Sequence, residues 1–375
     1  MYLDNAATSH PKPEAVYAAM DDFMRNVSAN PGRSGHSKSI EAARIVFEAR
    51  EELAGLFGVR SSERVVFTNN ATHAINLALK GLLKPGDNVV ISSMEHNSVI
   101  RPLRFLEKEI GISITIAECD KEGRLSPQKM ADAIIPSTKL VAILHASNVT
   151  GTIMPIREIG KVCRDKGVRF LVDAAQTAGV LPINMKEDNI DLLAFTGHKS
   201  LLGPQGIGGL CVGEGVELKG LVQGGTGSRS EKEVHPGFLP DALEAGTLNT
   251  VGIAGLLAGV RYIKEKGLDN IRKHESELMK ILLDGLQKID GITLYGPANA
   301  EDRVGVLSFN IAGKTPSEIG EKLDREYGIM VRVGLHCAPL AHKTIGSFPQ
   351  GTVRVSAGAM TEEDEVGRLM QVIVN

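Results

Sequence analysis

Between residues 64 and 212, short and almost uninterrupted apolar runs alternate with amphipathic ones, and this constrains the fold more than any other feature of the chain. "RVVFTNN" (64–70), "DNVVISS" (87–93), "ISITIAEC" (112–119), "KLVAILHAS" (139–147), "RFLVDAA" (169–175) and "IDLLAF" (190–195) predict strands. "ATHAINLALKGLL" (71–83), "VIRPLRFLEKEIG" (99–111), the short "SPQKMADAII" and "IREIGKVCRDKG" (156–167) predict helices between them. Pro102 then falls in a first turn, where proline is tolerated. Strands lacking polar alternation need cover on both faces, which implies an α/β fold with a parallel or mixed sheet between helical layers. Upstream, "SIEAARIVFEAREELAGLFG" (39–58) sets Ile40, Ala43, Phe47, Ala54 and Phe57 near helical spacing.

Near residue 251 the texture changes. Two long helical runs, "AGLLAGVRYIKEKG" and "NIRKHESELMKILLDGLQKI", precede the strand-like "ITLYG", "RVGVLSFNI", "GIMVRVG" and "TVRVSAG". The chain of 375 residues accommodates a large domain over 1–250 and a smaller α+β domain over 251–375. The N-terminal segment is expected to join the smaller one in part.

A net charge of −3 and a pI near 6.4 leave no basic footprint for nucleic acid. No run of about 18 apolar residues predicts a membrane span. The start, "MYLDNAATSHP", lacks the basic and apolar segments of a secretion signal. Cys119, Cys163, Cys211 and Cys337 lie far apart, as expected of reduced cytoplasmic thiols rather than a disulfide framework or a metal site.

In open α/β sheets ligands sit beyond the carboxyl ends of the strands. Thr72 and His73 follow the first run and open a helix, either as a plain hydroxyl cap or as an anion site. His96 in "MEHNS" follows the second, and Asn148 in "ASNVTGT" the fourth. Asp173 ends "FLVDAA", with Gln176 three residues on, and an aspartate in so apolar a strand needs a partner for its charge.

"AFTGHKSLLGPQGIGGL" (194–210) then sets Thr196, His198 and Lys199 after the last of these strands. His198 and Leu193 stand where a phosphate loop needs glycines, so that pattern fails. The lysine is either a solvated loop residue or the anchor of a Schiff base, with the glycines letting backbone approach a cofactor. Taken together these residues meet the needs of pyridoxal 5'-phosphate. Lys199 suits its aldehyde, Asp173 its ring nitrogen, Thr72 at a helix start its phosphate, His96 its ring face and Asn148 its phenolic oxygen.

The chain also resembles the cysteine desulfurases, the class V aminotransferase branch of fold-type I pyridoxal-phosphate enzymes. The motifs are "YLDNAATS", "NPGRSGH", "EHNSVI", "ASNVTGT", "VDAAQTAG", "TGHKSLLGPQGIG", "LEAGTLN", "RVGLHCAPL" and "TVRVSAG". The resemblance implies a mostly parallel seven-stranded sheet with a smaller domain carrying the cysteine loop. It implies that Lys199 carries the cofactor, Asp173 pairs its nitrogen and His96 stacks on it. Asn148 and Gln176 would contact the phenolic oxygen side, with Thr72, Thr196 and His198 on the phosphate. Ala71 stands where relatives often carry a second hydroxyl, and Met360 where they commonly carry asparagine. It further implies a homodimer in which Thr247 reaches the partner's cofactor, while Arg354 binds the substrate carboxylate.

By the same resemblance Cys337 takes sulfur from L-cysteine as a persulfide, leaving L-alanine, and passes it to a protein acceptor. His336 is expected to stabilise its thiolate. The alternatives are a selenocysteine lyase or another carbon–sulfur lyase that does not need Cys337, and a module that kept the fold and lost the chemistry.

Overall fold

The computed structural model describes residues 1–32 and 34–374. Seven strands form one sheet: β1 Val65–Thr68, β2 Asn88–Ser92, β3 Ser113–Ala117, β4 Thr138–Leu144, β5 Arg169–Asp173, β6 Leu192–Thr196 and β7 Gly208–Val212. Their order is β1-β7-β6-β5-β4-β2-β3. β2 to β6 pair in parallel, and β7 runs antiparallel to both β1 and β6. A second, antiparallel sheet holds β8 Ile292–Tyr295, β9 Val306–Ile311, β10 Arg332–Gly334 and β11 Thr352–Ser356, in the order β10-β11-β9-β8.

The helices are α1 Glu14–Asp22, α2 Ser37–Phe57, α3 Ala71–Leu82, α4 Asn97–Ile110, α5 Pro127–Ala133 and α6 Ile156–Asp165. α7 Thr250–Lys266, α8 Leu268–Leu286, α9 Pro316–Tyr327, α10 Pro339–Ile345 and α11 Glu363–Val374 follow.

The large sheet is apolar on both faces, as its unbroken strand sequences require. Val66, Ile91, Leu140, Leu171 and Leu192 face one core with Ile75 and Leu79 of α3 and Leu103 of α4. Phe67, Val90, Val141, Phe170 and Phe195 face the other, where Phe57 of α2 meets Phe195 with ring centroids 5.4 Å apart. Each such side chain contributes about 1.5–3 kcal/mol by burial. A third core joins Leu307, Phe309, Val353 and Val355 to Leu278, Leu282 and Leu286 of α8 and Leu369 of α11.

Three features differ from what the sequence suggests. In α2 the buried stripe is Ala42, Val46, Ala49, Leu53 and Phe57, while Ile40 and Phe47 are 59% and 58% exposed. The small alanines form the closer-packing side against α7, and the bulkier stripe is left outside. α4 starts at Asn97, because the His96 ring caps Ser98, so Pro102 stands in the second turn. There it cannot donate to the Ser98 carbonyl. α7 serves the large core through Ile253, Leu256, Leu257, Val260 and Ile263, whereas α8 serves the small one. The N-terminal segment bridges Tyr2 to Met330 and Asp4 to Ser356, and Leu3 is buried in the small core.

Candidate active site

The carboxyl ends of the parallel strands converge on one cleft that opens to solvent. Ala71, Thr72, His96, Asn148, Asp173 and Gln176 line it, together with Thr196, His198 and Lys199 at the end of β6. Ser98, Asn70 and Leu144 belong to the same wall.

At the end of β1, Asn70 rather than Thr72 caps α3, its side chain accepting from the His73 amide at 2.9 Å. The Thr72 hydroxyl is therefore not spent on the cap. The remaining amides of the first turn need acceptors from outside the helix. Asn70 is held in place by a close approach. A Cβ on Gly208 would fall 2.7 Å from the Phe195 carbonyl oxygen and 2.8 Å from Asn70 Cα. That glycine of the "GIGG" run serves strand packing, not the approach to a ligand that the sequence suggests.

Asp173, at the end of β5, is buried. Its Oδ1 accepts from the Ala175 amide at 2.9 Å and its Oδ2 from Ser98 Oγ at 3.4 Å. Burial raises its pKa, opposed by the Ala175 amide, the charge of Lys199 and Ser98. The Lys199 amine is lowered to about 8 by removal from water, with Asp173 pulling the other way. His96 takes the Ser98 amide on Nδ1 at 3.0 Å, with Ser98 Oγ at 2.9 Å. Burial and nearby cations lower it to about 4, and His198 likewise, so both rings are neutral at neutral pH. With Nδ1 accepting, the proton of His96 sits on Nε2.

Three wall atoms are buried without a hydrogen-bond partner: Asn148 Oδ1, Thr196 Oγ1 and His198 Nδ1. Buried polar groups are nearly always paired, and these three can pair with polar groups of a molecule in the cleft. Gln176 Nε2 donates to the Ala6 carbonyl at 3.1 Å.

The other predicted residues lie outside this wall. Arg354 on β11 is fully buried, pairs with Asp4, and donates from Nη1 to the Asn148 carbonyl at 3.1 Å. Its Nε has no partner. Met360 accepts from Tyr262 Oη at 3.3 Å. Thr247 is exposed, its Oγ1 accepting from Asn30 Nδ2 at 3.4 Å. Cys337 is the exposed cysteine of the four. Burial pushes Cys119 up to about 11, Cys163 to about 12 and Cys211 further still.

His336 does not act on Cys337 as its position in the sequence suggests. The ring is buried, its Nε2 lies 3.0 Å from Thr352 Oγ1, and burial lowers it to about 2, so it carries no charge. The cation at the thiol is Arg332, whose Nη2 lies 3.7 Å from Cys337 Sγ. Arg332 was not among the predicted residues, and neither were Ser98 and Glu95. Glu95 is buried, bonded to Ser92 Oγ at 2.6 Å and to the Leu144 amide, and burial raises it to about 8.

The fold and the cavity define a class: an α/β enzyme with a desolvated lysine and a buried aspartate at adjacent strand ends. The class-V aminotransferase family model matches residues 1–369, so the chain belongs to that family. Within it the chain is one of the cysteine desulfurases. A probable cysteine desulfurase of Methanothermobacter thermautotrophicus is 37% identical, over 100% of this chain and 94% of the relative. A cysteine desulfurase of Serratia proteamaculans is 34% identical, over 98% and 91%. The apo structure of the cysteine desulfurase from Thermococcus onnurineus superposes with a TM-score of 0.92 at 37% identity, covering 100% of this chain and 94% of that one.

Proposed function

We propose that the protein is a pyridoxal-phosphate-dependent cysteine desulfurase that converts L-cysteine to L-alanine and carries the sulfur as a persulfide on Cys337. One observation carries this reading: a single cavity gathers Lys199, Asp173 and His96 with three unpartnered buried polar atoms. The residues fit pyridoxal phosphate. Thr72 and the first-turn amides at Ala71 and Thr72, with Thr196 Oγ1 and His198 Nδ1, suit the phosphate. Asp173 suits a protonated ring nitrogen, which would supply the counter-charge its burial lacks. His96 suits the ring face, Asn148 and Gln176 the phenolic oxygen side, and Lys199 the aldehyde.

When bound, this cofactor supplies an electron sink that makes the Cα proton of cysteine removable and its sulfur transferable. Lys199, with an amine near 8, is matched to move that proton near neutral pH. The neutral His96, held by Ser98, is oriented to relay a second one. Arg354 binds the substrate carboxylate. The Cys337 thiolate attacks the substrate sulfur and the substrate C–S bond breaks. Its electron pair stays on the organic fragment, which is protonated to alanine, and the protein keeps Cys–S–SH. Covalent capture of this kind replaces one difficult departure by two easier steps.

The active unit is a homodimer, with the exposed Thr247 reaching the cofactor of the second copy. Exposed Met24, Ile40 and Phe47 offer apolar surface for that contact. The exposed Cys337 passes its sulfur to a protein acceptor. No helix among the described residues is long and apolar enough to cross a membrane. Four unpaired cysteines favour a reducing compartment such as the cytoplasm.

The test is reconstitution with pyridoxal phosphate, borohydride trapping, and alanine measurement after addition of L-cysteine. Label on the peptide carrying Lys199, with alanine formed, is expected. Label on another lysine, or none, contradicts the assignment.

A further inference from the structure

Cys337 sits in a turn that the backbone alone would not choose. His336 and Cys337 have φ of 47° and 59°, two consecutive non-glycine residues in the left-handed region. Such conformations persist only where surrounding contacts over-determine them. The contacts come from both domains. On the small sheet, the His336 ring is anchored to Thr352 Oγ1, which in turn donates to Ser308 Oγ at 3.0 Å. From the large domain, the Asn97 amide at the start of α4 donates to the Cys337 carbonyl at 2.8 Å, and Asn148 Nδ2, in the loop after β4, donates to the His336 carbonyl at 2.7 Å.

Asn148 stands on both sides of this arrangement. It is 7% exposed, and its backbone carbonyl takes Arg354 Nη1. Its Nδ2 must be the atom facing the His336 carbonyl, because a carbonyl needs a donor. That fixes Oδ1 as the other end of the same planar amide, buried, unpartnered and in the cavity wall. A molecule filling the cavity would close over this end of the amide and hold it in place. It would thereby fix the rotamer that makes the bond from Nδ2.

We propose that Asn148 is a positioning residue that links filling of the cavity to the pose of Cys337, with one end of its amide on the bound cofactor or substrate and the other on the Cys337 turn. This rests on the reading that the cavity holds pyridoxal phosphate and that Cys337 carries sulfur. It goes beyond that reading in giving the cavity control over the thiol. Filling the cavity holds the turn, and emptying it frees the turn to move.

The experiment compares wild type, Asn148→Ala and the isosteric Asn148→Asp, each with and without pyridoxal phosphate. The rate of Cys337 alkylation by iodoacetamide and amide exchange over 335–338 are followed by mass spectrometry. In the wild type, loading should slow alkylation of Cys337 by about tenfold, a typical coupling between two sites. Both variants should lose that difference, and in their unloaded forms the 335–338 amides should exchange faster than in wild type. Persistence of the loading effect in Asn148→Ala, or its absence in a wild type that does carry the cofactor, overturns the link. So do unchanged exchange rates in both unloaded variants. If the wild type fails to take up the cofactor on Lys199, the functional reading fails instead. Exchange in the unloaded proteins still tests the hold of Asn148 on the turn.

Discussion

Arg332 Nη2 lies 3.7 Å from Cys337 Sγ, a guanidinium at the sulfur from the neighbouring strand β10. Hydrogen bonds from charged donors are the stronger kind, and an anionic sulfur is the better acceptor. Arg332→Met is therefore expected to slow persulfide formation about tenfold while the bound-cofactor spectrum stays unchanged. Single-turnover alanine release with the reconstituted variant checks this. An unchanged rate would leave Arg332 without a part in sulfur transfer.

Lys199 carries a stability cost linked to its role. Its folded amine titrates near 8 against an ordinary 10.5, so between those values the unfolded chain holds more protons than the folded one. Stability of the cofactor-free protein should rise with pH across that window, and the full cost is present below it. Replacing Lys199 by Met should stabilise the cofactor-free protein at pH 7, on the order of 3 kcal/mol, and much less at pH 10. Denaturant melts of both proteins at the two pH values decide it; equal shifts at both would rule out burial of the charged amine as the source of the cost.

Acid should act through the histidines. His96, His145, His198 and His342 are each lowered by burial to about 4 and His336 to about 2, from an ordinary 6.5. Below 6.5 the unfolded chain takes protons that these buried rings refuse, so stability falls with pH. Glu95 and Glu275, raised by burial to about 8 and about 7 from 4.5, work in the opposite sense. They hold protons in the folded state that the unfolded chain has lost above 4.5. Burial also lowers His73 and raises Asp173; six histidines outweigh three carboxyls, so the cofactor-free protein should weaken from pH 6.5 to 4.5 and take up protons on unfolding. Stability that is flat or rising over that interval would refute this balance.

Much of the site was legible because strand ends are legible. Asp173, Asn148 and Lys199 each follow an apolar run that can only be a buried strand, and topology brings such ends together. What was missed has no such address. Ser98 matters through its place in the first turn of α4, touching both His96 and Asp173, and nothing in "HNSVI" marks it. Glu95 reads as an ordinary loop carboxylate until the fold buries it beside the Leu144 amide. His336 was misjudged because adjacency in sequence says nothing about direction: the turn at φ 47° sends its ring inward and leaves Cys337 exposed. The outer stripe of α2 was misjudged because Ile40 and Phe47 are more apolar than the alanines that are buried.

Sulfur transfer should depend on Cys337 far more than cofactor binding does. In Cys337→Ala the cofactor spectrum should persist while alanine production from L-cysteine falls by about 100-fold, roughly 3 kcal/mol of barrier. The loss should be smaller with L-selenocysteine, since selenium leaves more readily. A variant equally active on cysteine would favour a selenocysteine lyase or a general carbon–sulfur lyase.

Transfer of sulfur from cysteine to Cys337 is read from the position of that sulfur after a single pulse. The reconstituted protein is given a brief pulse of sulfur-labelled L-cysteine, digested without reductant and mapped by mass spectrometry. Reductant-labile label is expected on the peptide carrying Cys337, and none on those carrying the buried Cys119, Cys163 and Cys211. Alanine formed in the pulse with no label on Cys337, or with label on one of the other three, would contradict the account.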